Sequence, residues 1–72
     1  MSIGYERGSI MGNLKSYRKA AGISQEELAA QLGVSQVAVS QWESGRTHPG
    51  FEKIIKLSDI LGVTIDELVK GA

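Results

Sequence analysis

Cysteine is absent from the 72 residues of this chain, so it can form neither a disulfide bond nor a thiolate metal site. The single histidine, His48, stands in a Pro-Gly loop without the partners that a nucleophile triad or a multi-histidine metal site requires. No apolar run approaches the length of a membrane-spanning helix. We therefore expect no catalytic residues, no metal, no cofactor, no small-molecule ligand and no membrane contact, and a cytoplasmic location.

An excess of charge of either sign is also missing. Eight lysine and arginine residues balance eight aspartate and glutamate residues, so the formal net charge at pH 7 is zero. A domain that binds nucleic acid usually carries a clear excess of basic residues. Composition alone therefore gives no sign of such a partner.

Apolar residues recur at helical spacing along the chain, and no stretch alternates with the two-residue period of a strand. Ser24, Ser35 and Thr64 stand where helix N-caps are needed, and Glu27 follows Ser24 at the spacing of a capping box. We therefore predict a single all-α domain with five helices. The side chains expected in its core are Leu14, Leu28, Ala29, Val39, Trp42, Leu57 and Leu61.

The segment Ser24–Gly45, SQEELAAQLGVSQVAVSQWESG, is typical of two short amphipathic helices joined by a tight turn. Gly33 can take the left-handed conformation that ends one helix and leads into the next. Ala29 is small where the two helices would cross, and Val39 and Trp42 would point back into the core. A small residue, a glycine and two apolar residues at these fixed offsets form a helix-turn-helix signature.

The first nine residues, MSIGYERGS, show no periodicity and lack the apolar stretch of a signal peptide. A second methionine, Met11, stands where the first helix is expected to begin, with Ile10 as the first residue of its apolar stripe. We interpret residues 1–9 as a flexible N-terminal leader and residues 10–72 as the helix-turn-helix domain.

From Leu14 to about Val69 the chain resembles the phage Cro and repressor type of helix-turn-helix domain, often called the XRE family. The matching segments are RKAAGISQEELAAQLGVS, QWESGRTHP and LGVTIDELVKG. The resemblance implies a five-helix, phage-repressor-like DNA-binding fold and a cytoplasmic, sequence-specific transcriptional regulator, expected to be a repressor and dimeric. In that family the third helix lies in the major groove of double-stranded DNA. The alternative is a protein-interaction module, an antitoxin or adaptor, with the same fold.

The outward face of the third predicted helix is uncharged and rich in amides. A glutamine can form two hydrogen bonds with the adenine edge, and a valine can pack against a thymine methyl group. The alternative is an ordinary solvated helix face, but its position directly after the turn favours base reading. The predicted base-contacting residues are Gln36, Val37, Ser40 and Gln41.

Helix N-termini can bind phosphate through free N–H groups without any net charge. The resemblance places the start of the second helix, with Ser24 and Gln25, at the DNA backbone. We also predict phosphate contacts for Arg46 and Thr47, which follow the recognition helix, and for Lys53 at the start of the next helix.

Arg18 lies on the apolar stripe of the first predicted helix, where a fully solvated residue is not expected. Its position and that of Glu43 form an ion pair in many members of the resembled family. The resemblance thus implies a pair that joins the first helix to the end of the recognition helix and orients it. The alternative is a buried aliphatic stem with the charged group of Arg18 in water.

Two apolar residues are left over after the core is filled. Ile60 falls off the stripe of the fourth helix, and Val69 lies near the exposed end of the last helix. We predict a two-fold homodimer with Ile60 and Val69 at its interface, although Ile60 could instead pack under the last helix of the same monomer. The stripe itself comprises Phe51, Ile54, Ile55, Ser58 and Leu61.

Overall fold

The computed structural model describes residues 11–69, and this part of the chain contains five α-helices and no strand. The all-α prediction is therefore confirmed. The predicted leader at residues 1–9, the first residue of the predicted domain at position 10 and the last three residues, 70–72, lie outside the described residues. The helices are α1 (Leu14–Ala20), α2 (Gln25–Leu32), α3 (Gln36–Ser44), α4 (Phe51–Leu61) and α5 (Ile65–Val69).

Polar side chains begin α2 and α5 in the same way. Ser24 Oγ accepts the backbone N–H of Glu27 at 3.0 Å, and the Glu27 carboxylate accepts the N–H of Ser24 at 2.8 Å. Thr64 and Glu67 form the equivalent two bonds, at 3.0 and 2.9 Å. These capping boxes satisfy N–H groups that have no partner within the helix, so each start is set by residues three positions apart.

The turn between α2 and α3 depends on Gly33. This residue ends α2 with a φ of 73°, in the left-handed region that side chains disfavour. The N–H of the following Val34 returns to the carbonyl of Ala29 at 3.0 Å, which closes the end of the helix. The chain therefore turns sharply, and α3 packs directly against α2.

All five helices contribute to one core. Leu61, which the sequence places in the core, is only half-buried and packs against its edge. Met11, Leu32 and Leu68 are also buried, although they are not among the core residues predicted from the sequence. The buried apolar side chains are Met11, Leu14, Leu28, Ala29, Leu32, Val39, Trp42, Leu57 and Leu68.

α4 faces the core with Leu57, as expected, and with only part of its predicted apolar stripe, since Ile54, Ser58 and Leu61 are half-buried. Leu57 is completely buried, whereas Phe51 and Ile55 in the predicted stripe are 69% and 42% exposed. Ile60, expected off the stripe, is half-buried and packs against the core of its own chain. The apolar arc of α4 is wider than the surface that its neighbours cover, so periodicity could not determine which part is buried.

Within residues 11–69, no helix is both long enough and apolar enough to cross a membrane.

Trp42, 7% exposed, gives the packing of α3 a direct test. Trp42→Ala should lower the free energy of unfolding by about 3 to 5 kcal/mol, because it removes a large buried side chain and leaves a cavity. Denaturant titration followed by circular dichroism measures this loss, with the exposed Val37→Ala as control. Native tryptophan emission should be blue-shifted and should move to the red on unfolding. A red native emission would contradict the packing of α3.

Candidate nucleic-acid interface

α3 presents one buried face and one polar face. Ser35 begins the helix by accepting the N–H of Ala38 at 3.2 Å, and Val39 and Trp42 point into the core. These constraints leave the opposite side of the helix facing away from the core. There Gln41 is half-buried, and the exposed residues are Gln36, Val37, Ser40 and Ser44.

Val37 is the apolar member of this face. Its side chain is 62% exposed, with polar residues around it on the same helix. A single exposed valine is ordinary on a protein surface. Here it shares the accessible face with amides and hydroxyls, so the face combines hydrogen-bonding groups with one apolar contact, the two kinds of chemistry that base edges offer in the major groove.

The N-terminus of α2 lies beside the start of α3. Gln36 Nε2 donates a hydrogen bond to Gln25 Oε1 at 3.2 Å, which joins the first residues of the two helices. Ser24, the N-cap of α2, is exposed, and Gln25 is half-buried. The positive end of the α2 dipole is therefore next to the polar face of α3, where an anion can approach.

The segment after α3 is held against the end of that helix. The N–H groups of Arg46 and Thr47 both point to the carbonyl of Gln41, at 3.0 and 3.4 Å. Both side chains are exposed, whereas Lys53 is half-buried in the first turn of α4. Arg46 and Thr47 thus border the polar face, and Lys53 belongs to the following helix.

Arg18 and Glu43 form a buried ion pair between α1 and α3. Arg18 Nε donates to Glu43 Oε2 at 2.5 Å, and Arg18 Nη2 donates to Glu43 Oε1 at 3.2 Å. The third nitrogen, Nη1, donates to the carbonyl of Ile23 at 2.8 Å. The guanidinium group is therefore not solvated as the alternative interpretation required, and it ties α1 to both the α1–α2 loop and the end of α3.

Gln25 also bonds to this ion pair, which the sequence did not indicate. Its Nε2 donates to Glu43 Oε1 at 2.9 Å, so Gln25 lies between Glu43 and Gln36. The sequence suggested only a phosphate contact for Gln25. Because Gln25 and Glu43 are on different helices, no local spacing pattern marks their contact.

Opposing effects act on the ionisation of Glu43. Burial on its own would raise the pKa of this carboxyl group. Hydrogen bonds from Arg18 and Gln25, together with the charges of Arg18 and Lys15, outweigh burial and hold the pKa below its ordinary value. The hydrogen bond to Glu43 likewise raises the pKa of Arg18. The pair is therefore fully ionised at neutral pH.

Within the described part of the chain, no group of three or more histidine, cysteine, aspartate or glutamate residues is arranged to hold a metal ion. The polar groups on the outward face of α3 are neutral amides and hydroxyls, not carboxylates or imidazoles.

A family model described as helix-turn-helix matches residues 14–68. The chain belongs to the XRE-type helix-turn-helix family. The match includes the polar face of α3 and both partners of the ion pair, and the resemblance seen in the sequence is confirmed.

Two curated relatives share the domain. The HTH-type transcriptional activator BcrR of Enterococcus faecalis is 45% identical over 58 residues, which are 81% of this chain and 28% of that protein. Repressor protein C2 of Salmonella phage P22 is 41% identical over 63 residues, which are 86% of this chain and 29% of that protein. The chain thus spans less than a third of the length of either relative.

Solved structures share the fold. A crystal structure of the P22 c2 repressor in complex with a synthetic operator matches with a TM-score of 0.78 and 41% identity, covering 88% of this chain and 97% of that chain. A transcriptional regulator from Listeria innocua matches with a TM-score of 0.78 and 33% identity, covering 88% of this chain and 59% of that chain. The predicted phage-repressor-like fold is confirmed.

Removing the charge of Glu43 tests the ion pair. Glu43→Gln should lower the free energy of unfolding by about 3 kcal/mol at pH 7, because it leaves the Arg18 charge buried without a counterion. The lowered pKa of Glu43 stabilises the parent chain fully above the ordinary pKa of 4.5, and this stabilisation is lost as the pH falls through the lowered pKa. The difference between parent and variant should therefore shrink in acid.

Denaturant titrations at pH 7 and at pH 3 measure this difference. Glu26→Gln is the matched control, because Glu26 is an exposed carboxylate in the first turn of α2 and should contribute only a few tenths of a kcal/mol. Equal losses for the two variants at pH 7 would mean that the ion pair does not stabilise the fold.

Proposed function

We propose that this chain is the DNA-binding domain of a sequence-specific transcriptional regulator that reads the major groove with α3. The observation that carries the proposal is the match to the P22 c2 repressor bound to a synthetic operator, with a TM-score of 0.78 over 88% of this chain. The exposed polar face of α3 supports it, because in this docking geometry the second helix of the motif enters the groove.

The mode of regulation we favour is repression. A domain that occupies its site excludes other proteins there without any further surface, and Repressor protein C2 of phage P22 is among the relatives. The neutral amides and hydroxyls of α3 suit recognition rather than catalysis, so we propose that the chain is not an enzyme. We also propose that it acts in the cytoplasm, where bacterial DNA is found. A purely protein-binding role is the alternative outcome of the DNA-binding experiment below.

The residues proposed to contact bases are those of α3 that face away from the core. Gln36 and Gln41 can pair with adenine edges, and Val37 can pack against a thymine methyl group. Ser40 lies between them and can donate to or accept from a base edge. Since this face has no arginine or lysine, we expect the preferred half-site to be rich in A·T pairs.

The groups proposed to bind phosphate lie around the polar face of α3. Ser24 and Gln25 lie at the N-terminus of α2, whose N–H groups can bind phosphate without net charge. Arg46 and Thr47 follow α3 with exposed side chains, and Lys53 can extend the contact from the start of α4. This arrangement provides backbone contacts in a chain whose net charge is zero.

A homodimer would present two copies of α3 to adjacent major grooves on a palindromic site. We propose that it forms through α4 and α5. Ile60 and Val69 offer only part of their surface, because both pack against the core of their own chain. Phe51 and Ile55, one helical turn apart on α4, are more exposed and supply further apolar area.

Alanine substitutions can distinguish base reading from phosphate binding. Gln41→Ala should weaken binding to the preferred duplex by about 1 to 3 kcal/mol and leave nonspecific binding nearly unchanged. Arg46→Ala should weaken both complexes, because it removes a phosphate contact. It should also make the dependence of the logarithm of the binding constant on the logarithm of salt concentration shallower, by about one unit per site. Gel-shift titrations at several salt concentrations, after selection of the preferred duplex from a random pool, measure these effects.

Lys56→Ala is the matched control for Arg46→Ala, since Lys56 is an exposed cation that is not among the proposed DNA-contacting residues. All three variants must first melt at temperatures close to the parent. Equal losses and equal salt slopes for Gln41→Ala and Arg46→Ala would contradict base reading by α3. A parent chain with no salt-dependent DNA binding would favour the protein-interaction module.

The dimer is tested by sedimentation, alone and on a palindromic duplex. The combined variant Phe51→Ser and Ile55→Ser should dissociate the dimer at concentrations where the parent remains associated, because it removes exposed apolar area from α4. Val37→Ser is the control, since it removes an exposed apolar side chain from α3 instead. In the dimer, the two recognition helices should lie about 34 Å apart. A parent chain that is monomeric both free and on DNA would refute this arrangement.

A further inference from the structure

His48 is the single histidine of the chain, and its side chain is exposed in the segment between α3 and α4. The backbone on both sides of it is anchored. The N–H of Thr47 points to the carbonyl of Gln41 at 3.4 Å, and Pro49 is buried. His48 is therefore held at the surface of a turn that is fixed at both ends.

The ring of His48 is not committed to a contact within the domain. Across residues 11–69, its side chain forms no hydrogen bond and no ion pair. Within this part of the chain, both ring nitrogens are therefore available to a ligand. A neutral imidazole offers one donor and one acceptor, whereas the protonated form offers two donors and a positive charge.

The position of His48 places it beside groups proposed to bind phosphate. It directly follows Arg46 and Thr47, whose side chains are exposed at the border of the polar face of α3. Consecutive Cα atoms are about 3.8 Å apart, and each DNA strand carries one phosphate per about 3.4 Å of helix axis. A segment that contacts one phosphate therefore has the next within reach of its side chains.

We propose that His48 binds a backbone phosphate of DNA in its protonated form, so that the affinity of this domain for DNA rises as the pH falls from 8 to 6. This inference rests on the proposed function, because it concerns the same DNA interface. It adds a pH-dependent contact that Arg46 and Thr47 cannot supply, since neither side chain changes its charge in this range.

The direction of the effect follows from the linkage between proton binding and DNA binding. Histidine is the side chain that ordinarily changes its charge between pH 5 and pH 8. A phosphate stabilises the imidazolium, so a histidine bound to it keeps its proton to a higher pH than a free one. The added affinity is therefore complete in acid, and it is lost as the pH rises through the range in which the bound ring loses its proton.

The charged groups around His48 lie on its own segment and on the two helices that this segment joins. Arg46 in the segment and Lys53 in the first turn of α4 oppose a further positive charge, whereas Glu52 favours it. Glu43, near the end of α3, is already bound in the buried ion pair. A phosphate brought into these surroundings offsets the two cations and removes their opposition to a protonated ring.

The zero net charge of the chain makes one added proton significant. With His48 neutral, the chain brings no excess of positive charge to DNA. One extra phosphate contact steepens the dependence of the logarithm of the binding constant on the logarithm of salt concentration by about one unit. Uptake of one proton raises the affinity by at most about tenfold per pH unit. We therefore expect each chain to bind DNA about five- to tenfold more tightly at pH 6 than at pH 8.

Two substitutions at position 48 fix the charge in opposite states. His48→Gln stays neutral, and His48→Lys stays positive, from pH 6 to pH 8. Fluorescence anisotropy with a labelled duplex at fixed salt measures binding. At both pH values, His48→Gln should bind as weakly as the parent does at pH 8, and His48→Lys as tightly as the parent does at pH 6. The same pH dependence in His48→Gln as in the parent would overturn the proposal.

A histidine at a different position distinguishes a direct contact from a general effect of charge. Lys56 is exposed and is not among the proposed DNA-contacting residues. The double variant His48→Gln and Lys56→His has a titrating ring on α4 but none in the segment that follows α3. Its DNA binding should vary no more with pH than that of His48→Gln alone. Recovery of the parent's pH dependence in the double variant would refute a phosphate contact by His48.

NMR measures the protonation of His48 directly, because no other histidine contributes a signal. The Cε1–H resonance is followed against pH in the free parent chain and in its complex with DNA. Its titration midpoint should lie about one pH unit higher in the complex, which corresponds to about tenfold tighter binding by the protonated form. Identical midpoints in the two states would contradict the proposal.

The outcomes also separate the two proposals. A parent chain that binds no DNA at any pH refutes the proposed function and, with it, the role of His48. A parent chain that binds DNA at pH 6 no more tightly than His48→Gln refutes only the role of His48. Because positions 48 and 56 are exposed, all variants should melt close to the parent temperature, and circular dichroism checks this first.

Discussion

The buried ion pair between Arg18 and Glu43 is the interaction on which the placement of α3 depends. Either charge left alone in this shielded position would cost several kcal/mol, so α1 cannot slide along α3 without a large penalty. Arg18 also holds the α1–α2 loop through the carbonyl of Ile23, and Glu43 receives the amide of Gln25 from the start of α2. A single contact therefore relates three helices to one another and orients the polar face.

This dependence is strong because the elements are short. The helices have between five and eleven residues, too few for any of them to be stable alone in water. Capping boxes at Ser24 and Thr64 and the left-handed turn at Gly33 define where helices begin and end. These local devices set boundaries, but the apolar core and the ion pair determine how the helices lie against each other.

A net charge of zero shapes how such a domain can bind DNA. Without an excess of positive charge, nonspecific attraction to phosphate is weaker than for a basic domain, so groups in defined positions contribute a larger share of the binding free energy. The side-chain amides of Gln25 and Gln36 are joined by a hydrogen bond, and Gln25 also donates to Glu43, so both amides are held in place before any ligand arrives. Preorganised polar groups lose less entropy on binding, which favours selectivity over general affinity.

The sequence by itself determined the all-α fold, the caps and the turn at Gly33, because these depend on residues within a few positions of one another. It also indicated the polar face of α3, since Val39 and Trp42 had to point inward. Only the tertiary structure decided which part of the apolar arc of α4 stays exposed, because that arc exceeds the area that neighbouring helices cover. The same holds for the bond from Gln25 to Glu43, which joins separate helices and follows from packing rather than from any local pattern.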